Sequence, residues 1–231
     1  TREDLDRFGM WSMQKAVEAD RTGLYAENII PFEYTWEGNT KRVEKDETLR
    51  AKAVDDPDGY WAALQNLRAP FKPEGGIVTA GSASQIVDGS AAVLLMSAQK
   101  AEEMEMEPIC RIVGMASAGG DPVPMLLAPI PATQKALKRA GLTIDDMDVI
   151  EPNEAFVSPL LAFADELGYE RHDPRINPTG GAVGLGHPIG ASGVLWFGEM
   201  VHHLKRTNGR AGVQMMCGGG GIGIATVVQA V

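Results

Sequence analysis

From Gly75 to the C-terminus, short apolar runs alternate with longer stretches in which apolar residues recur every three or four positions. One of the longer stretches starts at Pro131 and stops at Gly141, with proline at its beginning and glycine just past its end, as is typical of a helix. Such alternation predicts an α/β fold, in which helices flank a sheet. The apolar runs of strand length occupy residues 92–96, 109–116, 147–150, 213–216 and 222–228.

The first 76 residues have a different pattern. Residues 1–22 predict a helix that ends near Gly23. A polar, charged stretch follows from residue 37 to residue 76, and it is too long for an ordinary loop in a compact domain. We therefore expect a functional lobe that lies over another part of the protein, with its charged residues in solvent. One face of the predicted helix would carry Leu5, Phe8, Ser12 and Ala16.

The composition limits the classes of function. With 231 residues, 44% of them apolar, the chain is long enough for one large domain, or for one domain and a smaller lobe. A net charge of −10 argues against non-specific binding to nucleic acid or to an anionic membrane surface. No apolar run has transmembrane length. Two cysteines cannot form a disulfide framework, so we expect a reducing compartment, the cytoplasm or an organellar matrix.

Two residues in glycine-rich backbone are candidates for catalysis. His187 lies in "GLGHPIGASG", where small neighbours let a substrate approach closely, and a helical pattern begins two or three residues later. Cys217 ends an apolar strand and enters "CGGGG", whose unhindered N–H groups could point at a developing oxyanion. Each has a structural alternative: a surface or structural histidine for the first, and a buried core thiol for the second.

A third candidate, Asn153, lies where the strand at 147–150 gives way to the next helix. Asparagine is a good helix cap, but the carboxyl ends of strands are also where α/β sheets place their ligands. Cys110 lies inside a strand pattern and is expected to be a packed core thiol. No metal site is predicted, because no histidine has a partner at ligand spacing.

Three motifs then follow one another along the chain: "NEAF" at residues 153–156, "NPTGGAVGLGHPIGASG" at 177–193 and "CGGGGIGIA" at 217–225. Together they closely resemble the thiolase family, and the resemblance covers essentially the whole chain. It implies the C-terminal half of a five-layered α-β-α-β-α fold. Residues 1–76 would form the later part of a loop lobe that covers coenzyme A, and residues 77–231 would form the C-terminal domain.

The resemblance also implies a reaction, namely Claisen chemistry on coenzyme A thioesters through an acyl-cysteine intermediate, in fatty acid and lipid metabolism. Coenzyme A would be a substrate or product, and no prosthetic group is expected. His187 would activate the nucleophile, and Cys217 would move the α-proton. Asn153 would hold a water that forms one oxyanion hole with His187, and the N–H of Gly219 would contribute to the other.

One component of this chemistry is missing from the sequence. The family's nucleophilic cysteine belongs to the N-terminal half, upstream of Thr1, and Cys110 does not match its motif. We therefore expect the chain to be inactive and poorly soluble alone. It would work with an N-terminal half or subunit that carries the nucleophile, within a dimer or tetramer. The opening "TRED" likewise resembles the inside of a longer protein.

Further residues would bind coenzyme A. Ser84 matches a family serine that hydrogen-bonds the pantetheine, with Ala80 and Gly81 beside it. Ser82 stands where the family commonly has asparagine, and this departure leaves Ser84 in place. Arg50 matches, more weakly, a basic residue near the nucleotide.

Three apolar residues would surround the reacting part of the substrate. Phe71 and Met125 would line the channel for the pantetheine and the acyl group, and Phe156 would pack beside the reacting centre. Ordinary core packing is the alternative for all three.

Two other functions stay open on the sequence. A ketoacyl-synthase-like condensing enzyme would share the fold and the chemistry, but such enzymes usually lack a second catalytic cysteine like Cys217. A non-catalytic subunit for coenzyme A binding or assembly would carry idle motifs. Packing alone does not require Asn153, His187 and Cys217 together, so we favour the enzyme.

Overall fold

The chain begins with a 20-residue helix, α1 (Arg2–Arg21), in the computed structural model, which describes residues 1–231. Thr1 caps this helix, because its hydroxyl oxygen accepts the N–H of Asp4 while the Asp4 carboxylate accepts from the Thr1 nitrogen. The predicted helix is thus confirmed. The residues predicted to share one face are all buried: Leu5, Phe8, Ser12 and Ala16.

The predicted lobe, residues 1–76, contains further regular structure after α1. A hairpin pairs β1 (Phe32–Trp36) with β2 (Asn39–Val43). Its two-residue turn has positive φ at Glu37 and Gly38, as this type of hairpin requires. Two short helices, α2 (Lys52–Asp55) and α3 (Pro57–Gln65), follow the hairpin and contact α1.

A four-stranded mixed sheet supports the rest of the chain. After α4 (Ala98–Glu103), the strands are β3 (Cys110–Gly119), β4 (Val149–Pro152), β5 (Ala211–Gly218) and β6 (Ile222–Ala230). Their spatial order is β3-β6-β5-β4, with β4 parallel to β5 and the other two pairs antiparallel. The sequence therefore predicted these four strands and the α/β class correctly.

Helices cover both faces of this sheet. Helices α5 (Pro129–Ala140) and α6 (Val157–Leu167) pack on one face, where the largest hydrophobic core forms. After the short helix α7 (Ala182–Leu185), α8 (Ser192–Thr207) packs its buried Met200 and Leu204 against the opposite face. No helix of the structure has the combined length and apolar character of a membrane span.

Glycines let α5 lie close to the sheet. A Cβ at Gly223 of β6 would lie 2.1 Å from the carbonyl carbon of Ala128, next to the start of the helix. A Cβ at Gly114 of β3 would lie 2.4 Å from the carbonyl oxygen of Ala136, in the middle of the helix. Because real Cβ atoms do not approach backbone this closely, the helix can occupy this position only against glycine.

The strand predicted at residues 92–96 is not present. Residues 85–97 form no helix or strand, and Ile86, Leu94 and Leu95 are 94%, 70% and 64% exposed. An apolar segment becomes a buried strand only if a sheet edge pairs with it and other elements cover it. Neither edge strand of the sheet, β3 or β4, pairs with this segment. By contrast, the apolar run at 213–216 lies in β5 and is buried through Met215.

We expect residues 1–231 on their own to self-associate, because exposed apolar side chains in one segment favour association. Sedimentation should give masses well above the 24.7 kDa of the monomer. Changing Leu94 and Leu95 together to serine should shift the protein toward the monomer, whereas changing the exposed Gln99 and Lys100 to serine should not. A monomeric unmodified chain would contradict the expectation.

Candidate active site

Three polar side chains that are distant in the sequence meet at one end of the sheet. The amide nitrogen Nδ2 of Asn153 lies 3.4 Å from Nε2 of His187 and 3.5 Å from Sγ of Cys217. These partners are 34 and 64 residues away along the chain. The structure therefore brings together the three side chains that the sequence singled out as catalytic candidates.

Two neighbouring strands fix the positions of Asn153 and Cys217. Asn153 directly follows β4, and its backbone N–H donates to the carbonyl of Met215 in β5 at 2.9 Å, which extends the parallel pairing. Cys217 lies two residues further along β5. The helix-cap alternative for Asn153 is not supported, because α6 begins after Phe156 and has no side-chain cap. Its amide group is therefore available to face His187 and Cys217.

The backbone around His187 is held from both sides. Gly186 has φ of 87°, a conformation that favours glycine, and turns the chain after α7. The His187 N–H then donates to the carbonyl of Gln85 at 2.8 Å. On the ring, Nδ1 lies 2.6 Å from Oγ of Ser192, the first residue of α8. This helix begins five residues after His187, rather than the two or three predicted.

Burial lowers the pKa of His187 below its usual range, so the neutral imidazole is favoured near pH 7.

The glycine run next to Cys217 is the turn between β5 and β6, as predicted. Cys217 is a free, half-buried thiol and pairs across the strands with Gly223. Gly220 and Gly221 both have positive φ, which lets the chain reverse in a short turn. A Cβ at Gly219 would meet no atom within 4 Å, so the backbone there is unhindered. Gly219 makes no hydrogen bond to the three side chains, and its oxyanion role stays a prediction.

A buried carboxylate ties together the segments around the site. Oε2 of Glu154 accepts the hydroxyl of Ser12 in α1 at 2.6 Å and the N–H of Val183 in α7 at 2.9 Å. Its Oε1 accepts from Nδ2 of Asn177 at 2.6 Å. Glu154 has no exposed surface, and it directly follows Asn153. Its three bonds therefore fix the backbone that carries the Asn153 amide.

Neither the role of Glu154 nor that of Ser192 was predicted from the sequence. The sequence did contain a local sign of the role of Glu154, which lies at the edge of an apolar helical stripe. A glutamate there is buried only when hydrogen-bond donors satisfy it. Those donors come from residues up to 142 positions away and cannot be located from one sequence. Ser192 lies inside the "GASG" motif, but only the folded turn brings its hydroxyl to the imidazole.

Two ionisable groups lie behind the site: Glu151 in β4 is buried, and Lys15 of α1 is half-buried. Burial, with a smaller contribution from Glu199 and Glu154, raises the pKa of Glu151 well above its usual range. Burial also lowers the pKa of Lys15 to about 8. No ion pair involves Asn153, His187 or Cys217. No group of three or more His, Cys, Asp or Glu side chains is placed to hold a metal ion.

Some of the residues expected to bind coenzyme A lie near this site. Ser84 donates its hydroxyl to the carbonyl of Ala155 at 3.1 Å, and Ala83 forms a β-bridge with Phe156. Phe71 is 72% exposed, and its ring meets that of Phe156 edge-on at 6.0 Å. This contact joins the end of the predicted lobe to the "NEAF" motif.

The remaining candidates are more peripheral. Ala80 and Gly81 belong to a single 3-10 turn that packs against α1. Arg50 is exposed, and a guanidinium nitrogen of its side chain lies 3.4 Å from Oε1 of Gln85. Met125 lies in the connection between β3 and α5, beside an open cavity that the start of α6 also lines. The structure does not place these residues in contact with the three central side chains.

Replacing Glu154 by glutamine should destabilise the protein. One carboxylate oxygen, an acceptor, would become an N–H₂ group, a donor, and would then face one of the donors that now bind Glu154. Leaving one buried donor unsatisfied costs about 1–3 kcal/mol. The midpoint of thermal unfolding of the assembled protein should therefore fall by several degrees. The matched control is Glu166→Gln, an exposed position on α6 without a hydrogen-bond partner, which should leave the midpoint unchanged. An unchanged midpoint for Glu154→Gln would show that the three bonds contribute nothing.

Comparison with known proteins gives a consistent assignment. The family model "Thiolase, N-terminal domain" matches residues 1–99, and "Thiolase, C-terminal domain" matches residues 106–230. The 3-oxoadipyl-CoA/3-oxo-5,6-dehydrosuberyl-CoA thiolase of Escherichia coli K12 is 43% identical over 232 residues, covering 100% of this chain. A 3-ketoacyl-CoA thiolase of Stutzerimonas stutzeri is 42% identical over 231 residues, covering 99% of this chain.

Solved structures agree with the sequences. The acetyl-CoA acetyltransferase of Bacillus anthracis superposes over 100% of this chain with a TM-score of 0.93 and 37% identity. Human mitochondrial 3-ketoacyl-CoA thiolase gives a TM-score of 0.91 and 36% identity. The chain covers 56% of both these structures and 56–58% of the two relatives, so it spans little more than half of their length. The three sequence motifs, the fold and both family models agree, and the chain belongs to the thiolase family.

Proposed function

We propose that this chain supplies part of an active site for acyl transfer between coenzyme A thioesters, either by thiolysis of a 3-ketoacyl-CoA or by condensation of two acyl-CoA molecules. The observation that carries the proposal is the contact of Asn153 with both His187 and Cys217. A base, a thiol and an amide donor in one small site are the groups that Claisen chemistry needs. The relatives are named for different acyl groups, so we propose only the substrate class.

The nucleophilic cysteine would come from an N-terminal half or from a partner chain. His187 Nε2 would take the proton of that thiol, and the thiolate would attack the thioester carbonyl carbon. The carbon–sulfur bond to coenzyme A would then break, and the departing thiolate would recover a proton from His187. The product of this half-reaction is an acyl-cysteine with free coenzyme A.

Cys217 would act in the second half-reaction, in the direction of condensation. Its thiolate would remove a proton from the α-carbon of a second acyl-CoA. The resulting carbanion would attack the acyl-cysteine carbonyl, so that a carbon–carbon bond forms while the carbon–sulfur bond to the nucleophile breaks. The released thiolate would recover, through His187, the proton that Cys217 took from the α-carbon, which returns both thiols to their starting states. Thiolysis follows the same steps in reverse. A base within one hydrogen-bond length of its proton is the geometry that such a transfer needs.

Negative charge would develop on the thioester oxygens in both half-reactions. Asn153 would hold a water that, together with His187, stabilises one oxyanion, and the N–H of Gly219 would stabilise the other. Two observations support these roles. Nδ2 of Asn153 already faces His187 Nε2, and the backbone at Gly219 is free of neighbouring atoms that would block an oxygen.

Coenzyme A would bind along the side of the site that faces the lobe. Ser84 and Phe71 both contact the "NEAF" segment, and Arg50 is exposed beside Gln85, whose carbonyl holds His187. The serine would bind the pantetheine, and the arginine would lie near the nucleotide. Ala80 and Gly81 would line the same path.

Apolar side chains would surround the acyl end of the substrate. Phe156 would pack beside the reacting carbon, since it lies only two positions after Glu154, whose hydrogen bonds fix the backbone at Asn153. Phe71 would line the pantetheine path, and Met125, beside its open cavity, would line the acyl channel.

The arrangement of the whole enzyme is part of the proposal. Residues 1–76 would belong to the lobe that covers coenzyme A, and residues 77–231 to the C-terminal half of a five-layered protein. The boundary between the two family models lies further along the chain than residue 76, between residues 99 and 106. The complete enzyme would be a dimer or tetramer. Two half-buried free thiols agree with a reducing compartment such as the cytoplasm.

Replacing Cys217 by alanine in the assembled enzyme should lower kcat by about 10²–10⁴-fold, because a general acid/base is lost. Labelling of the nucleophile by radiolabelled acetyl-CoA should persist, since that step uses His187. Cys110→Ala is the matched control: this thiol is half-buried in β3, away from the site, and its loss should leave turnover unchanged. Undiminished turnover in Cys217→Ala would remove Cys217 from its proposed role.

A second measurement distinguishes the enzyme from a non-catalytic subunit. Residues 1–231 alone should show no thiolysis of acetoacetyl-CoA, and mixing or co-expression with an N-terminal half that carries a cysteine nucleophile should restore it. Turnover by residues 1–231 alone would contradict the missing nucleophile. An assembled complex that binds coenzyme A but never becomes acylated would instead identify a subunit for binding or assembly.

A further inference from the structure

We propose that Ser192 is a positioning residue for His187, holding the imidazole in the tautomer that carries its proton on Nδ1. Ser192 is the first residue of α8 and is fully buried. Its Oγ lies 2.6 Å from Nδ1 of His187 and 3.0 Å from the carbonyl oxygen of Pro188. The inference deepens the proposed function, on which its consequence for turnover rests.

The number of available protons decides the direction of these hydrogen bonds. The Ser192 hydroxyl has one proton, and the Pro188 carbonyl only accepts, so the bond between them uses the hydroxyl proton. Oγ can then only accept at its contact with His187. That contact therefore needs a proton on Nδ1, and a neutral imidazole with a proton there has a bare Nε2.

The other side of the ring agrees with this assignment. Nδ2 of Asn153 lies 3.4 Å from Nε2, and an amide nitrogen can only donate. A proton on Nε2 would place two donors against each other. Exchanging the oxygen and nitrogen of the Asn153 amide would relieve that conflict but create another, because the position now held by Oδ1 is buried without any partner. The exchange would put an N–H₂ group with no acceptor into that position.

The hydroxyl is itself held in place, so it can orient the ring. The Pro188 carbonyl also accepts the N–H groups of Ala191 and Ser192, at 2.8 Å and 2.9 Å, which fixes the turn that leads into α8. The His187 N–H is bound to Gln85 on the other side. Both the backbone of His187 and one ring nitrogen are thus fixed, which directs the bare Nε2 toward Asn153.

The consequence is a base that is ready before any substrate binds. A proton taken from a thiol must arrive at an unprotonated nitrogen, and only Nε2 faces the site. Without the Ser192 hydroxyl, Nδ1–H would lose its acceptor in a buried position. The neutral ring would then populate the other tautomer, which has no lone pair toward the site.

The test measures the tautomer directly, by ¹⁵N NMR of the His187 ring in the assembled enzyme near neutral pH. Unmodified enzyme should show a protonated Nδ1 and a bare Nε2. Ser192→Ala should raise the population with a protonated Nε2, and Ser192→Thr, which keeps a hydroxyl, should restore the original tautomer. Gly193→Ala is the matched control, because its added Cβ would meet no atom within 4 Å.

Turnover gives a second readout with acetoacetyl-CoA and coenzyme A as substrates. Ser192→Ala should lower kcat by about 10–100-fold, by analogy with the loss of a partner that orients a metal-ligating histidine, with KM little changed. Ser192→Thr should recover most of that loss, and Gly193→Ala should not show it. A rise in KM with kcat unchanged would overturn the proposal.

The two readouts separate this inference from the proposed function. If the assembled enzyme shows no thiolase activity, the proposed function fails, while the tautomer of His187 is still measured by NMR. If Ser192→Ala does not assemble, the unmodified enzyme decides: a proton on Nδ1 supports the inference. A proton on Nε2 in the unmodified enzyme, or an unchanged tautomer in Ser192→Ala, would overturn it.

Discussion

The carboxylate of Glu154 is the interaction on which the arrangement of the site depends. It accepts hydrogen bonds from α1, from the loop at Asn177 and from the start of α7, three segments that are far apart in the sequence. A buried carboxylate with fewer donors would be costly, so the three segments stabilise the group and are in turn held by it. Asn153 is the residue directly before it and takes its position from this junction. The opening helix therefore supports the arrangement of the site through Ser12 without supplying one of its three central side chains.

The parts of the protein that could be predicted from sequence are those specified by local patterns. Proline and glycine mark the ends of α5, apolar runs mark β5 and β6, and the glycine turn marks Cys217. Each pattern acts within a few residues of itself. Glu154 and Ser192 were missed because their partners are identified only once distant segments meet. The contact of Asn153 with His187 and Cys217 was likewise implied by resemblance and not by any local spacing.

The wrong prediction at residues 92–96 has a related cause. The composition of that run satisfies the local requirements of a buried strand, but pairing and cover must come from other parts of a protein. The sheet described here has its edges at β3 and β4, and neither takes the segment. Ile86, Leu94 and Leu95 therefore stay exposed. A local pattern states what a segment needs, and only the rest of the chain determines whether the need is met.

The placement of Asn153 directly after β4 and of Cys217 in the adjacent parallel strand β5 has a consequence for how such proteins diversify. The spacing of paired strands is set by backbone hydrogen bonds, about 4.8 Å apart, and varies little with side-chain identity. Phe71, Met125 and Arg50, in contrast, lie on connections outside the sheet, where insertions and substitutions are tolerated. Mutations in those connections can reshape the space around a substrate without moving the Asn153 amide relative to the Cys217 thiol. In the proposed enzyme, one reaction centre could in this way be inherited unchanged while descendants acquire preferences for different acyl groups.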